Sequence, residues 1–381
     1  MPDTADTIPD LAALIREAFA RQASDVLLTA RAPAMVRIDG EWRAATRAPL
    51  SHEQRRAAVF ALLDERARAG VERDREYDFA LSIDDRIRVR ANTYWQKGEL
   101  SAVFRLIPSG TPKLDALGVP AAVKEFALRT RGLVLVTGAA GTGKTTTIAG
   151  MIGLINESRN CHIVTIEDPI EYVHANKKAI IDQREVGRDT DSFAAALRCV
   201  LRQAPDVIVV GEMRDLETMS AAITAAETGH LVIATLHTND AIQAIDRIVD
   251  IFPAEEDRQV RSQLAFTLAG VVAQQLVPRR DGAGRVLASE VLMVTPAVAH
   301  HIRDGKNHMT RSLMETGRST GMRLMDDSLK ELYDAARISY DVLAAHVSHP
   351  DVLRSVQRRW QDEEGKSASL PMIDPFANAP F

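Results

Sequence analysis

Cysteine is nearly absent: Cys161 and Cys199 are the two in 381 residues. They form no metal-spaced pair and read most simply as reduced core residues of a cytosolic chain. Long apolar runs are absent too. None approaches the ~20 residues of a membrane span, and Met1–Ile15 carries three aspartates and no signal-peptide pattern, so no transmembrane segment is expected. Neither sign of charge dominates. Forty-seven Lys and Arg against 52 Asp and Glu leave a net −5, which gives no global pull toward nucleic acid while leaving a local basic channel open. There is no internal repeat, and the length gives room for two or three domains.

What is present is organised around Gly132–Thr147, GLVLVTGAAGTGKTTT. Leu133–Val136 is a wholly apolar run suited to a strand buried on both faces. It breaks at Gly138, and Gly138-Ala139-Ala140-Gly141-Thr142-Gly143-Lys144-Thr145 has the spacing G-x-x-x-x-G-K-[ST], followed by Thr146 and a helix to about Asn156. Three glycines let successive N–H groups turn toward phosphate oxygens. The helix N-terminus adds partial positive charge, Lys144 reaches the β- and γ-phosphates, and Thr145 offers a hydroxyl to Mg²⁺. This combination points to binding of a nucleoside triphosphate, with ATP and Mg²⁺ as the expected cofactors.

In chain order, Pro9–Gln22 has the stripe of an amphipathic helix. Strand candidates follow at Asp25–Ala30, Ala34–Ile38 and Glu41–Ala44, then a helix from Ser51 to about Arg68, then strands at Tyr77–Ile83, Arg86–Tyr94 and Leu100–Leu106. This makes a small α/β domain, residues 1–107, joined by a linker at 108–115 to a core at 116–295. In that core Leu133–Thr137, His162–Glu167, Ala179–Gln183, Asp206–Val210 and Leu231–Leu236 alternate with helical stretches, the pattern of a mostly parallel sheet in an α/β fold. Ala254–Val277 reads as one long helical region and Val286–Val294 as one or two strands. Short helices fill 296–353, and 354–381 has the composition of a disordered tail.

Two apolar strands end in acids. Asp206–Glu212 places Glu212 where it can hold Mg²⁺, directly or through water, or orient a water; His162–Asp168 places Glu167 as a candidate general base beside Asp168. Each acid could instead cap its strand end. His230 and His237 frame a further strand, as packing residues or as sensors of the γ-phosphate; no third ligand at suitable spacing supports zinc. Arg198 and Arg202, at i and i+4, would share a helix face, and Arg90 and Arg105 lie on neighbouring strand candidates. Each alone reads as surface charge. Together they matter if another subunit or domain brings them to the γ-phosphate as arginine fingers.

These boxes together resemble the secretion-superfamily hexameric ATPases, most closely the pilus-retraction group. The match rests on Ala23-Ser24-Asp25, Gly138–Thr147, Thr165–Tyr172, Gln183–Gly187, Leu201–Asp206, Gly211–Asp215, Ala226–Asn239 and Gln274–Leu276, within residues 10 to 345. The resemblance implies a PAS-like N-terminal domain followed by a RecA-like P-loop ATPase domain with a C-terminal helical region. It implies Glu167 as catalytic glutamate, Glu212 in the Walker B strand, His230 and His237 in the His box, and Arg90 and Arg105 supplied by the N-terminal domain. It also implies a homo-hexamer at the cytoplasmic side of the inner membrane, working on a pilus platform protein, alone or with a paralogous retraction ATPase. The family's extension and secretion members carry a long N-terminal extension and a four-cysteine insert, neither of which is seen, and this favours retraction over those functions. A departure lies in the C-terminal box: Ala297-Val298-Ala299-His300-His301-Ile302-Arg303-Asp304 has Ala299 where the group carries its first arginine. That leaves open a motor that retracts pili by itself or one that assists another motor, and a catalytically weak scaffold or a nucleic-acid translocase are the rivals outside the group.

Overall fold

The structure is a computed structural model describing residues 10–38, 40–84, 86–108, 110–282 and 284–356. The chain divides into two compact units, Met1–Ala116 with Ala127–Leu133 and Thr145–Thr235, and Leu117–Phe126 with Val134–Lys144 and Leu236–Phe381.

The first unit opens on a helix, Leu11–Ala20, whose N-terminus is closed by the Asp10 carboxylate accepting from the Ala13 N–H at 3.0 Å and whose stripe Leu11, Ile15 and Ala18 is buried. Pro9 lies outside the described residues. Six strands follow: β1 (Asp25–Leu28), β2 (Met35–Ile38), β3 (Glu41–Ala44), β4 (Glu76–Asp84), β5 (Ile87–Gln96) and β6 (Glu99–Pro108). They pair antiparallel in the order β3-β2-β1-β6-β5-β4. Alternation in β5 turns Ile87, Val89, Ala91 and Thr93 inward. Phe104 is fully buried and meets the Phe79 ring edge-on, a side chain whose burial contributes about 1.5–3 kcal/mol. The single helix expected from Ser51 to Arg68 is two, His52–Phe60 and Glu65–Asp74. Asp64 is the reason: its carboxylate accepts from the Ala67 N–H at 2.8 Å and starts a new helix.

The second sheet contains β7 (Gly132–Thr137), β8 (His162–Glu167), β9 (Ile180–Glu185), β10 (Val207–Val210), β11 (Leu231–Leu236), β12 (Leu268–Pro278) and β13 (Arg285–Met293), in the order β13-β12-β7-β11-β10-β8-β9. Within the first unit, β9, β8, β10 and β11 pair in parallel, and every residue of β10 and β11 is buried, as helix-covered parallel strands require. Helices Lys144–Ser158, Phe193–Val200 and Leu216–Glu227 alternate with these strands, so the chain is α/β.

In the second unit the long helix expected over Ala254–Val277 ends at Thr267, and Leu268–Pro278 is a strand paired antiparallel with β13. At Gly270 an added Cβ would run into the Phe126 ring and the Leu292 carbonyl, so the strand is packed there at a distance only glycine allows. Helices Pro296–Arg303, Thr310–Thr316, Met325–Asp334 and Tyr340–His346 follow. A smaller core of Val277, Ala288, Leu329, Tyr333, Ile338, Leu343 and Val356 holds the last of them. Residues 350–356 are helical, so 354–356 do not belong to a tail; 357–381 lie outside the described residues. Cys161 is buried, but Cys199 is exposed rather than in a core, because it faces outward on the last turn of its helix. Among the described residues no helix is long and apolar enough to cross a membrane.

Candidate nucleotide site

The phosphate loop belongs to the second unit as far as Lys144. Gly138, Gly141 and Gly143 have φ of 141°, 77° and 89°, a region that L side chains rarely adopt. At Gly138 space is limiting as well: a Cβ would stand 2.5 Å from the Gln274 carbonyl oxygen and 2.7 Å from Thr142 Oγ1. Thr142 Oγ1 donates to the Ala139 carbonyl at 2.9 Å, and Lys144 Nζ donates to the carbonyls of Gly138 and Ala139 at 2.6 and 2.9 Å. The ammonium thus sits inside the curl while Ala139, Ala140 and Gly141 form its exposed crest. Arg285 reaches the same loop, its Nη1 3.3 Å from the Gly141 carbonyl. A closed curl with a buried ammonium at its centre and a helix N-terminus at its end fits a phosphate chain. Thr145 and Thr146 are half-buried on the first turn of that helix, and Thr146 Oγ1 lies 3.1 Å from the Tyr172 hydroxyl.

In the first unit the C-terminal ends of β8 and β10 bring two acids together. Gly211 donates its N–H to the Ile166 carbonyl at 2.8 Å, and a Cβ on it would come 3.4 Å from Glu167 Cα, so the strand ends converge there. Glu167 Oε1 accepts from Thr165 Oγ1 at 2.6 Å and from Gln183 Nε2 at 3.0 Å. Burial pushes the Glu167 carboxyl above the usual range, against those two hydrogen bonds. Burial also raises Asp168, with the Arg90 charge opposing and the Glu212 charge adding. Glu212 lies 2.8 Å from Arg214 Nε. Thr145 and Glu212 offer a hydroxyl and a carboxylate, the hard oxygen donors Mg²⁺ takes. Among the described residues no group of three or more His, Cys, Asp or Glu is arranged to hold a metal.

The other expected residues are scattered. His230 precedes β11, at the opposite end of the parallel strands from Glu167 and Glu212, and its Nδ1 lies 3.0 Å from the Ala225 carbonyl. By register His230 stands level with Asp206 and Glu167 level with Gly211, five residues or roughly 17 Å apart along the strands. His237 follows the C-terminal end of β11. Arg90 and Arg105 face each other directly across β5 and β6. Arg90 pairs with Glu171 at 3.5 Å, near Asp168, while Arg105 pairs with Asp25 at 3.2 Å. Arg198 pairs with Glu217 at 2.8 Å. Its helix ends at Val200, so Arg202 stands in the following turn and shares no helix face with it; Ala204, with φ of 50°, turns the chain away.

Arg88 escaped the reading of the sequence. It donates from Nε to the Ile170 carbonyl at 2.7 Å and lies 3.5 Å from Glu185. Burial lowers the pKa of its guanidinium, against the pull of Glu185 and Glu167. The alternation Arg86-Ile87-Arg88-Val89-Arg90 was the available signal, since i and i+2 on a strand share a face.

A phosphate loop of this spacing, closing on a buried lysine at a helix N-terminus, defines a P-loop NTPase. The chain belongs to the type II/IV secretion system protein family, whose model matches residues 2–341. It is 45% identical over 330 residues to the type IV pilus retraction ATPase PilT of Pseudomonas aeruginosa, covering 87% of this chain and 96% of that one. To the type IV pilus ATPase PilU of the same organism it is 43% identical over 341 residues, 90% of this chain and 89% of that one. The crystal structure of the pilus retraction motor PilT with bound ADP superposes with a TM-score of 0.84 at 44% identity, covering 91% of this chain and 99% of that one. The chain accordingly has the family's fold, an N-terminal α/β domain followed by a RecA-like domain.

Proposed function

We propose that this chain is an ATP-hydrolysing motor for type IV pilus retraction, working as a homo-hexamer on an inner-membrane platform protein from the cytoplasmic side. The observation that carries the reading is the Gly138–Thr145 cradle, with Lys144 buried in it, on a chain that matches an ADP-bound retraction motor over nine-tenths of its length. Residues 138–146 hold the phosphates of ATP. Thr145 and Glu212 would hold Mg²⁺, which would supply charge neutralisation at the phosphates. Glu167 takes the proton of the attacking water, a task suited to a carboxyl whose pKa burial has raised above the usual carboxylate range. His237 senses the γ-phosphate, Arg90 and Arg105 serve as fingers from the small domain, and Arg198 and Arg202 face a neighbouring subunit. Residues 1–107 and 116–295 move about the 108–115 segment as ATP binds and is hydrolysed, and that movement is passed to the platform protein.

A second reading is favoured by Ala299: an accessory motor that joins a paralogous retraction ATPase. Identity to the two pilus relatives differs by only two points, so it does not separate them. Deleting the gene tests both. Cells that stay piliated but no longer twitch support retraction, and rescue by this gene in a strain lacking its paralogue separates a stand-alone motor from an accessory one. Loss of pili altogether would overturn both in favour of extension.

A further inference from the structure

Arg88 on β5 is turned away from solvent: its side chain is 11% exposed and that of its partner Glu185 10%. Its Nε donates to the Ile170 carbonyl at 2.7 Å, and the Glu185 carboxylate accepts the Ile170 N–H at 3.1 Å. One ion pair therefore holds both backbone groups of Ile170, with one member from each of the two sheets. Ile170 lies in the loop that leaves Glu167. Gln183 Nε2 ties that loop back, donating to the Tyr172 carbonyl at 2.8 Å and to Glu167 Oε1 at 3.0 Å. Val186 closes the other side, its N–H on the Glu167 carbonyl at 2.9 Å. The amide that orients the Glu167 carboxylate thus takes its own place from the loop that Arg88 anchors.

We propose that Arg88, through its pair with Glu185, is a positioning residue for Glu167: it fixes the 168–172 loop so that Gln183 holds the carboxylate in one direction. The proposal rests on the reading of Glu167 as general base. It assigns Arg88 a part different from that of Arg90 and Arg105, since its guanidinium is committed to Ile170 and Glu185. Lysine at this position keeps the charge but loses the planar fork that serves two partners at once.

The test compares Arg88→Gln, Arg88→Lys and Glu167→Gln in the full chain. In nucleotide-free protein, hydrogen exchange at the amides of 170–172 should speed up by about tenfold or more in Arg88→Gln. In steady-state ATP hydrolysis the same variant should lose about tenfold or more in kcat with KM for ATP within about threefold, and Arg88→Lys should recover part of the loss. Should Arg88→Gln fail to fold, the lysine variant carries the test alone, with the same split between kcat and KM at smaller amplitude. Wild-type exchange and kcat in Arg88→Gln, with Glu167→Gln inactive, would overturn the positioning role and leave the base intact. A rise in KM at unchanged kcat would overturn it by making Arg88 a nucleotide contact. Wild-type turnover in Glu167→Gln would remove the base itself, and the proposal with it.

Discussion

Replacing Gly138 by alanine adds one methyl group where the structure has no place for it. The backbone there has φ of 141°, a conformation close to glycine-only whose occupation by another residue costs about 1–3 kcal/mol. The new Cβ would stand 2.5 Å from the Gln274 carbonyl oxygen and 2.7 Å from Thr142 Oγ1. Thr142 can rotate away, at the loss of its hydrogen bond to Ala139; Gln274 cannot, because it is held in β12 opposite Ser289. Overpacking of this kind costs about 1–3 kcal/mol more. Reduced freedom of the unfolded chain returns about 0.4–1 kcal/mol, which leaves a net loss of roughly 1–6 kcal/mol. Gly141→Ala is the internal control: the same loop, φ of 77°, and no atom within 4 Å of the added Cβ, so only the left-handed backbone term of about 1–2 kcal/mol applies. Differential scanning fluorimetry and titration with a fluorescent ADP analogue, run side by side, should show the Gly138 variant melting below the Gly141 variant and binding nucleotide more weakly. Equal melting and equal affinity would refute the argument that close packing against β12 shapes the loop.

Four further outcomes are expected. Lys144→Ala should abolish ATP turnover and weaken nucleotide binding at least about tenfold, while Glu212→Gln keeps binding and loses turnover; equal loss of binding in both would remove the distinction between their roles. Specific ATPase activity should rise with protein concentration as rings form, and a fully active monomer at high dilution would exclude arginines supplied by a neighbour. Burial draws His174 down to about 4 from an ordinary 6.5, so the unfolded chain takes up the proton first and stability falls as pH drops from about 6.5 to 4, by at most about 3 kcal/mol; His174→Gln should flatten the melting temperature over that window, and an unchanged slope would refute the assignment. Arg303 is exposed at the end of the Pro296–Arg303 helix, so Arg303→Ala should leave ATP turnover near normal and shrink the twitching zone; a parallel fall of both would place the box in the catalytic machinery.

What the sequence made legible is what local chemistry alone decides. Gly138–Thr145 was readable because the spacing of glycine, lysine and hydroxyl is itself the constraint, and β7, β10 and β11 because helix-covered strands need largely apolar runs. Leu268–Val277 was misread because its apolar residues continue the preceding helix without a breaker other than Gly270, whose reason lies in Phe126, over 140 residues upstream. The different settings of His230 and His237 were not legible because a histidine at each end of a strand looks alike in sequence, while only one end of a parallel sheet carries the acids.

The arginines show the same limit, and their exposures sort them by what each is free to do. Arg90 and Arg105 stand opposite one another with side chains 42% and 68% exposed, paired to Glu171 and Asp25. The Arg90–Glu171 pair, open to water on both sides, is worth only about 0–1 kcal/mol, so that guanidinium can leave its carboxylate for a phosphate at little cost; Arg105 leaves behind Asp25, whose side chain is buried. Arg88 and Glu185, at 11% and 10%, cannot part so cheaply, because removing one member of a buried pair leaves the other charge uncompensated. Three arginines on one small sheet that look equivalent in sequence therefore differ: Arg90 can change partners freely, Arg105 is tied to a buried carboxylate, and Arg88 is buried together with its partner.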